Sequence, residues 1–212
     1  MKKTTLIIIL AVTYLTVTAQ FQNDKVRDKG VYPSNWTKVS KNKKYGFIDE
    51  TGNEVVKPKY DSIYNFGDKG ISNYALVQIG DKFGFIDETG NEVAKPIYDF
   101  IYKYGEGYIG NYALVRIGNK YGFIDETGKQ VTKPIYDSIY KFGEKGIGNW
   151  ALVKKGDKFG FIDESGNEVI KPIYDSINKF GEYEANSASV TLDNKKGFID
   201  TSGKFKENKK IE

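Results

Sequence analysis

Neither cysteine nor histidine occurs anywhere in the 212 residues. Their absence excludes disulfides, thiol nucleophiles, Cys/His zinc sites, histidine-based triads and the usual proton shuttle near neutral pH. Proline is scarce at 5, methionine almost missing at 1, and neither charge sign dominates, with 32 basic against 28 acidic side chains. So balanced a charge gives no strong field for nucleic acid, which is not expected as a partner. The lost His and Cys chemistry also makes an enzyme a poor expectation. What the chain does have is 16 Tyr, 13 Phe and 23 Gly. Aromatic rings supply the apolar mass, and the glycines imply many turns.

The first twenty residues differ from the rest. Lys2 and Lys3 make a basic start, an apolar run follows from Leu6 through Val12 and extends to Val17, and Val17-Thr18-Ala19 precedes Gln20. This is the three-part layout of a secretory signal over residues 1–19, too short for a stable membrane span, with an uncleaved anchor helix as the alternative. Cleavage after Ala19 would leave 193 residues and lower the formal net charge from +4 to +2. With no cysteine beside the cleavage site, a lipidated N-terminus is not expected. No second apolar stretch approaches membrane length, so no transmembrane segment is expected in the mature chain. Export would place it in the periplasm, at the cell surface or outside the cell.

Self-comparison decides the architecture. Gly-Phe-Ile-Asp occurs five times, beginning at Gly46, Gly84, Gly122, Gly160 and Gly197, at intervals of 38, 38, 38 and 37 residues. Pro58, Pro96, Pro134 and Pro172 keep the same step, and residues 82–119 match residues 120–157 at 26 of 38 positions. Asn35 through Val39 lies one period before Asn73 through Val77, and Asn186 through Val190 matches Asn149 through Val153 after a single deletion. The organisation is therefore a leader over 20–34, a repeat array over 35–203, and a polar tail over 204–212 in which the Pro-Ile-Tyr-Asp segment is missing.

Within one unit, Ala75 to Ile79 reads as a strand, Gly80-Asp81 as a two-residue hairpin, and Lys82 to Ile86 as the return strand. Asp87-Glu88-Thr89-Gly90 has the Asp and Gly of a type I turn closed by a left-handed glycine. A third strand, Glu92 through Ile101, carries Pro96 and should be an edge, a bulge or a bend. The fold class is all-β, a tandem array of about five 38-residue β-meander repeats in which stacking completes each core. An open twisted solenoid is favoured over a propeller-like closed ring, because blades need four strands and each unit holds three comfortably.

These residues resemble the bacterial WG repeat family. The matching stretches are Tyr45 to Asp49, Thr51-Gly52, Pro58 to Asp61 and Ala75-Leu76-Val77, with their counterparts along residues 35–203. The tryptophan that names the family is Tyr45, Phe83, Tyr121 and Phe159 here, and Lys196 in the last copy. The resemblance implies a β-rich repeat protein of no settled activity, often exported, and it supplies little function.

Several residue sets invite chemistry. Asp87, Glu88, Asn91 and Glu92 cluster oxygens that could suit calcium, but they lack the ligand pattern of an EF-hand and turn chemistry accounts for them. No metal and no cofactor are expected. Tyr60-Asp61, Tyr98-Asp99, Tyr136-Asp137 and Tyr174-Asp175 could offer aromatic platforms beside carboxylates for a sugar; alternatively the rings pack between units and the acids cap turns. Lys41, Lys43, Lys44, Lys154, Lys155, Lys195 and Lys196 read as a solvated face among acids rather than a polyanion site. Trp36 and Trp150 stand in register with Tyr74 and Tyr112 and should pack. The expected function is an exported, non-enzymatic binding or scaffold module for a protein partner, with a cell-envelope glycan as the alternative. Self-association through terminal strands stays open.

Overall fold

A computed structural model describes residues 31–68, 73–104, 112–146 and 148–208. The expected signal segment and most of the leader lie outside these residues. Among them there are nineteen strands and no helix long and apolar enough to cross a membrane. The first sheet has three strands, β1 (Thr37–Lys41), β2 (Lys44–Ile48) and β3 (Glu54–Tyr60). The second has four, β4 (Ser62–Phe66), β5 (Tyr74–Ile79), β6 (Lys82–Asp87) and β7 (Glu92–Tyr98). The third comprises β8 (Phe100–Ile101), β9 (Ala113–Ile117), β10 (Lys120–Ile124) and β11 (Gln130–Tyr136). The fourth comprises β12 (Ser138–Ile139), β13 (Ala151–Lys155), β14 (Lys158–Ile162) and β15 (Glu168–Tyr174). The fifth comprises β16 (Ser176–Ile177), β17 (Ser187–Leu192), β18 (Lys195–Asp200) and β19 (Phe205–Glu207). Every sheet is an antiparallel meander in chain order, as the repeat predicts.

The strand count per repeat is corrected from three to four. The stretch expected as one strand, Glu92 through Ile101, is cut at Asp99 into β7 and β8, which belong to different sheets. The same break falls at Asp61, Asp137 and Asp175. Each four-stranded sheet therefore takes its first strand from one repeat and the other three from the next. This removes the strand-count reason for preferring an open array. Near the start of the tail, Phe205–Glu207 form β19, paired to β18 in the register Ile199 to Phe205 and Gly197 to Glu207.

The local chemistry follows the sequence closely. In the hairpins β1–β2 and β17–β18 both turn residues are left-handed, Asn42 and Lys43 at φ 53° and 62°, Asp193 and Asn194 at 50° and 63°. This is the type I′ geometry that matches strand twist. In β5–β6 only Gly80 is left-handed, at φ 60°, so the expected two-residue turn is of type II′. The proline resides in a bulge: Tyr45 faces Tyr60 and Phe47 faces Val56, leaving Lys57, Pro58 and Lys59 opposite Gly46. A proline there costs no ladder bond. A side chain at Gly46 would collide with the Val56 carbonyl and the Pro58 nitrogen, and Gly84, Gly122 and Gly160 face the same obstruction. The Gly between aromatics thus makes room for the bulge.

The described residues fall into two compact units that meet in sequence at Ile97 and Tyr98. In the first unit, Phe47, Val56 and Tyr60 of the first sheet pack against Ile63, Phe66, Ala75, Val77 and Ile86 of the second. In the second unit, Leu114, Phe123 and Tyr136 of the third sheet pack against Ile139, Phe142, Ala151, Val153 and Ile162 of the fourth. Leu152, Phe161, Ile170 and Tyr174 then pack against Ile177, Phe180, Ala188, Val190 and Ile199 of the fifth. The cores lie between meanders, because one face of a 38-residue meander has nothing else to cover it. Trp36 packs with Phe47 and Phe66 at ring distances of 5.0 and 6.0 Å, and Trp150 with Phe161 and Phe180 at 6.1 and 5.9 Å. Both tryptophans are packing residues.

Candidate functional site

The four Tyr-Asp pairs sit where the chain leaves one sheet for the next, and both side chains have structural partners. Tyr60, Tyr98, Tyr136 and Tyr174 are 0, 4, 1 and 2 % exposed. The Tyr60 hydroxyl donates to Glu92 at 2.8 Å, Tyr136 to Glu168 at 3.1 Å and Tyr174 to the Gly203 carbonyl at 3.0 Å. Burial, reinforced by the Glu92 and Glu168 carboxylates, raises the Tyr60 and Tyr136 phenols well above their ordinary value. No row of exposed rings exists at these positions. A sugar platform built on them is therefore not supported, since stacking needs an open aromatic face.

Asp61, Asp137 and Asp175 bridge successive meanders. Asp137 accepts from the Lys120 ammonium of the third sheet at 2.6 Å and from the Gly156 N–H of the fourth at 2.7 Å. Asp61 does the same with Lys44 at 2.5 Å and Gly80 N–H at 2.8 Å, and Asp175 with Lys158 at 2.5 Å and Asn194 N–H at 3.4 Å. Asp99 accepts from Gly118 N–H at 2.5 Å. The lysine hydrogen bond first, then the backbone donor, holds the Asp61 and Asp137 carboxyls below the usual aspartate range. The period alone did not reveal these partners, because lysine and aspartate meet only through the strand register around the bulge.

The oxygens of the Asp-Glu-Thr-Gly turns are engaged locally. Asp87 Oδ1 accepts from Thr89 N at 2.9 Å, Thr89 Oγ1 at 2.6 Å and Asn91 N at 3.0 Å, while Glu92 accepts from Lys59 at 3.0 Å as well as from Tyr60. Asp49 and Asp200 make the same kind of turn. Among the lysines, Lys44 pairs with Asp61, Lys155 with Glu168 at 4.0 Å and Lys195 with Glu207 at 3.4 Å, and Lys154 lies 5.7 Å from the Phe159 ring centre.

The exposed chemistry lies elsewhere. Each bulge lifts its crest residue into solvent: Ile97, Ile135 and Ile173 are 47, 37 and 46 % exposed, each two residues after an exposed lysine. Sequence reasoning passed over them because an isoleucine beside Pro reads as strand core. The register shift opposite Gly122 and Gly160 turns it outward, and the backbone of Ala94 to Pro96 crowds Gly84 in the same way. Open cavities include one of about 270 Å³ between Tyr102, Leu114 and Tyr121 and the start of the fourth sheet. Another, of about 310 Å³, lies on the fifth sheet.

This geometry defines an all-β protein of tandem antiparallel meanders with buried tyrosines and bridging aspartates. The chain belongs to the WG containing repeat family, whose pattern matches residues 45–83, 83–121, 121–159 and 159–195. No curated protein matches it. Among solved structures it is similar to PorZ, a surface component of the type-IX secretion system of Porphyromonas gingivalis, at 9% identity and TM-score 0.32. That match covers 90% of this chain and 27% of PorZ. Citrobacter koseri AztD matches at 15% identity and TM-score 0.32 over 87% of this chain and 58% of its own. Kluyveromyces lactis Hsv2 matches at 10% identity and TM-score 0.28 over 81% and 59%. The chain thus spans less than two thirds of each, and likenesses this low assign no activity.

Proposed function

We propose that the protein is an exported, non-enzymatic binding or scaffold module that offers its repeated surface to a protein partner outside the cytoplasm. The observation that carries this reading is the recurrence of a solvent-facing isoleucine beside a lysine at the bulge crests, Ile97, Ile135 and Ile173. The other repeated side chains with chemical potential already have partners, the tyrosines buried in the fold and the partly exposed aspartates in bridges between meanders. Each crest isoleucine is already more than half buried, so covering the rest is worth about 0.5–1.5 kcal/mol, and a specific complex needs several equivalent contacts acting together rather than a deep pocket. The basic start and apolar run before Ala19 support export.

The test is crosslinking of the tagged chain in the envelope fraction of its bacterial host, with mass spectrometry of what is captured. The wild type should capture a defined protein, and I135S, the I135S/I173S pair and the I97S/I135S/I173S triple should capture it in decreasing amounts. Undiminished capture by a folded triple variant overturns the reading. N-terminal sequencing of the exported chain should begin at Gln20, and retention in the cytoplasm with residues 1–19 still attached refutes export.

A further inference from the structure

The fifth meander departs from the others on one face. Asn178 stands where Tyr64, Tyr102 and Tyr140 stand in the earlier copies, Ser189 replaces Leu76, Leu114 and Leu152, and Lys196 replaces Tyr45, Phe83, Tyr121 and Phe159. In the third and fourth sheets this face packs on the sheet that follows, through Leu114 and Leu152, with the cavity of about 270 Å³ beside Leu114 bounded by Asp137, Ser138 and Ile139 at the start of the fourth sheet. In the fifth it opens into the cavity of about 310 Å³. That volume lies at the lower end of the range for small-molecule sites, roughly 300–1,000 Å³.

The lining is chemically consistent. Ser176, Ser189 and Thr191 contribute hydroxyls, and Asn178 and Asn208 contribute amides. Two of these pairs are held in place: Asn178 Nδ2 donates to Ser189 Oγ at 2.8 Å, and Ser176 Oγ to Thr191 Oγ1 at 3.1 Å. Phe198 is only half-buried there, whereas its counterparts Phe47, Phe85, Phe123 and Phe161 are fully buried, and Tyr183 rises beside it at 69 % exposure. The cavity contains one cation, Lys196, and no carboxylate. Its neighbours Lys158 and Lys195 have acidic partners, Asp175 and Glu207, but Lys196 makes no ion pair among the described residues. A solvated end cap calls for mixed charge. Fixed hydroxyls and amides, two aromatic surfaces and one uncompensated ammonium instead match a hydroxylated ring bearing a single negative charge.

We propose that the outer face of the fifth meander binds an acidic sugar residue. Its hydroxyls meet Ser176, Asn178, Ser189 and Thr191, its apolar ring face lies against Tyr183 or Phe198, and its anionic group pairs with Lys196. This site is independent of the isoleucine crests, so either can fail without the other.

The test is an NMR titration of residues 20–212 with glucuronate, glucose 6-phosphate, glucose and acetate. The expected result is saturable shifts at Ser189, Thr191 and Lys196 in the low millimolar range, roughly 1–10 mM, for at least one acidic sugar. Glucose should bind about tenfold more weakly and acetate should not saturate. Saturation by glucuronate assigns the charge to a carboxylate, and saturation by glucose 6-phosphate alone assigns it to a phosphate. Because Ser189→Leu restores the side chain of three other meanders, it should keep the fold and abolish binding. Lys196→Met should reduce acidic-sugar affinity about tenfold, to that of glucose. Absence of saturation with every sugar, shifts confined to another surface, or unchanged binding in both variants overturns the site and leaves a polar end cap.

Discussion

Thr132 occupies the position of Val56, Ala94 and Ile170 in the other meanders, and it is the one buried polar residue among these core positions, at 4 % exposure. Among the described residues its hydroxyl has no hydrogen-bond partner. An unsatisfied buried hydroxyl costs about 1–3 kcal/mol, so Thr132→Val should raise stability by about 1 kcal/mol, read from the urea midpoint at unchanged slope. A loss of stability would mean that the hydroxyl is solvated in solution. At this scale the sequence was legible for residue type and opaque for partnership. The tyrosines could be read as packing residues and the aspartates as turn caps. That Asp137 would bridge Lys120 and Gly156 depends on two sheets meeting at one point, which a linear period does not encode. Lys196 was visible as a departure, but its meaning required knowing that Ser189 shares its face.

Strands and turns were read from the same few signals, with unequal success. The hairpins and the Asp-to-Gly turns fell where turn chemistry puts them, because two-residue loops and left-handed glycines have few alternatives. The third strand was misjudged because its Asp, which ends one sheet and starts another, carries no breaker of its own. Two glycines of the second sheet separate the local requirement from the packing one. Gly80 has φ 60° and open space around it, whereas a Cβ at Gly90, φ 85°, would lie 2.7 Å from the Val55 carbonyl oxygen of the first sheet. Gly80→Ala should therefore cost about 1–2 kcal/mol for the left-handed backbone. Gly90→Ala should cost a further 1–3 kcal/mol or so, since the two sheets must part to admit the methyl. Denaturant melts of both variants check this, and equal losses would show that the turn does not seat against the neighbouring meander.

For the molecule as a whole, the bridging carboxylates set the response to acid. Lys44, Lys120 and Lys158, with backbone donors, depress Asp61, Asp137 and Asp175 below the ordinary aspartate value of 3.8, and turn hydrogen bonds led by Thr51 and Ser202 do the same for Asp49 and Asp200. A group depressed in the folded state contributes stability that is complete above its unfolded pKa and lost as pH falls through the folded one. The thermal midpoint should thus be level from neutral pH to about 5 and decline progressively below 3.8. A midpoint unchanged down to about pH 2.5 would show that these bridges contribute nothing. The raised Tyr60 and Tyr136 phenols act oppositely: their contribution is complete below pH 10 and lost at higher pH. The offset between repeat and sheet, with one strand supplied by one repeat and three by the next, also bears on how such genes change length. Recombination between any two equivalent points inserts or deletes a whole number of repeats. Each junction then rejoins a first strand to three that fit it. Lineages can gain or lose whole sheets in one event without stranding an edge, wherever in the period the crossover happens to fall.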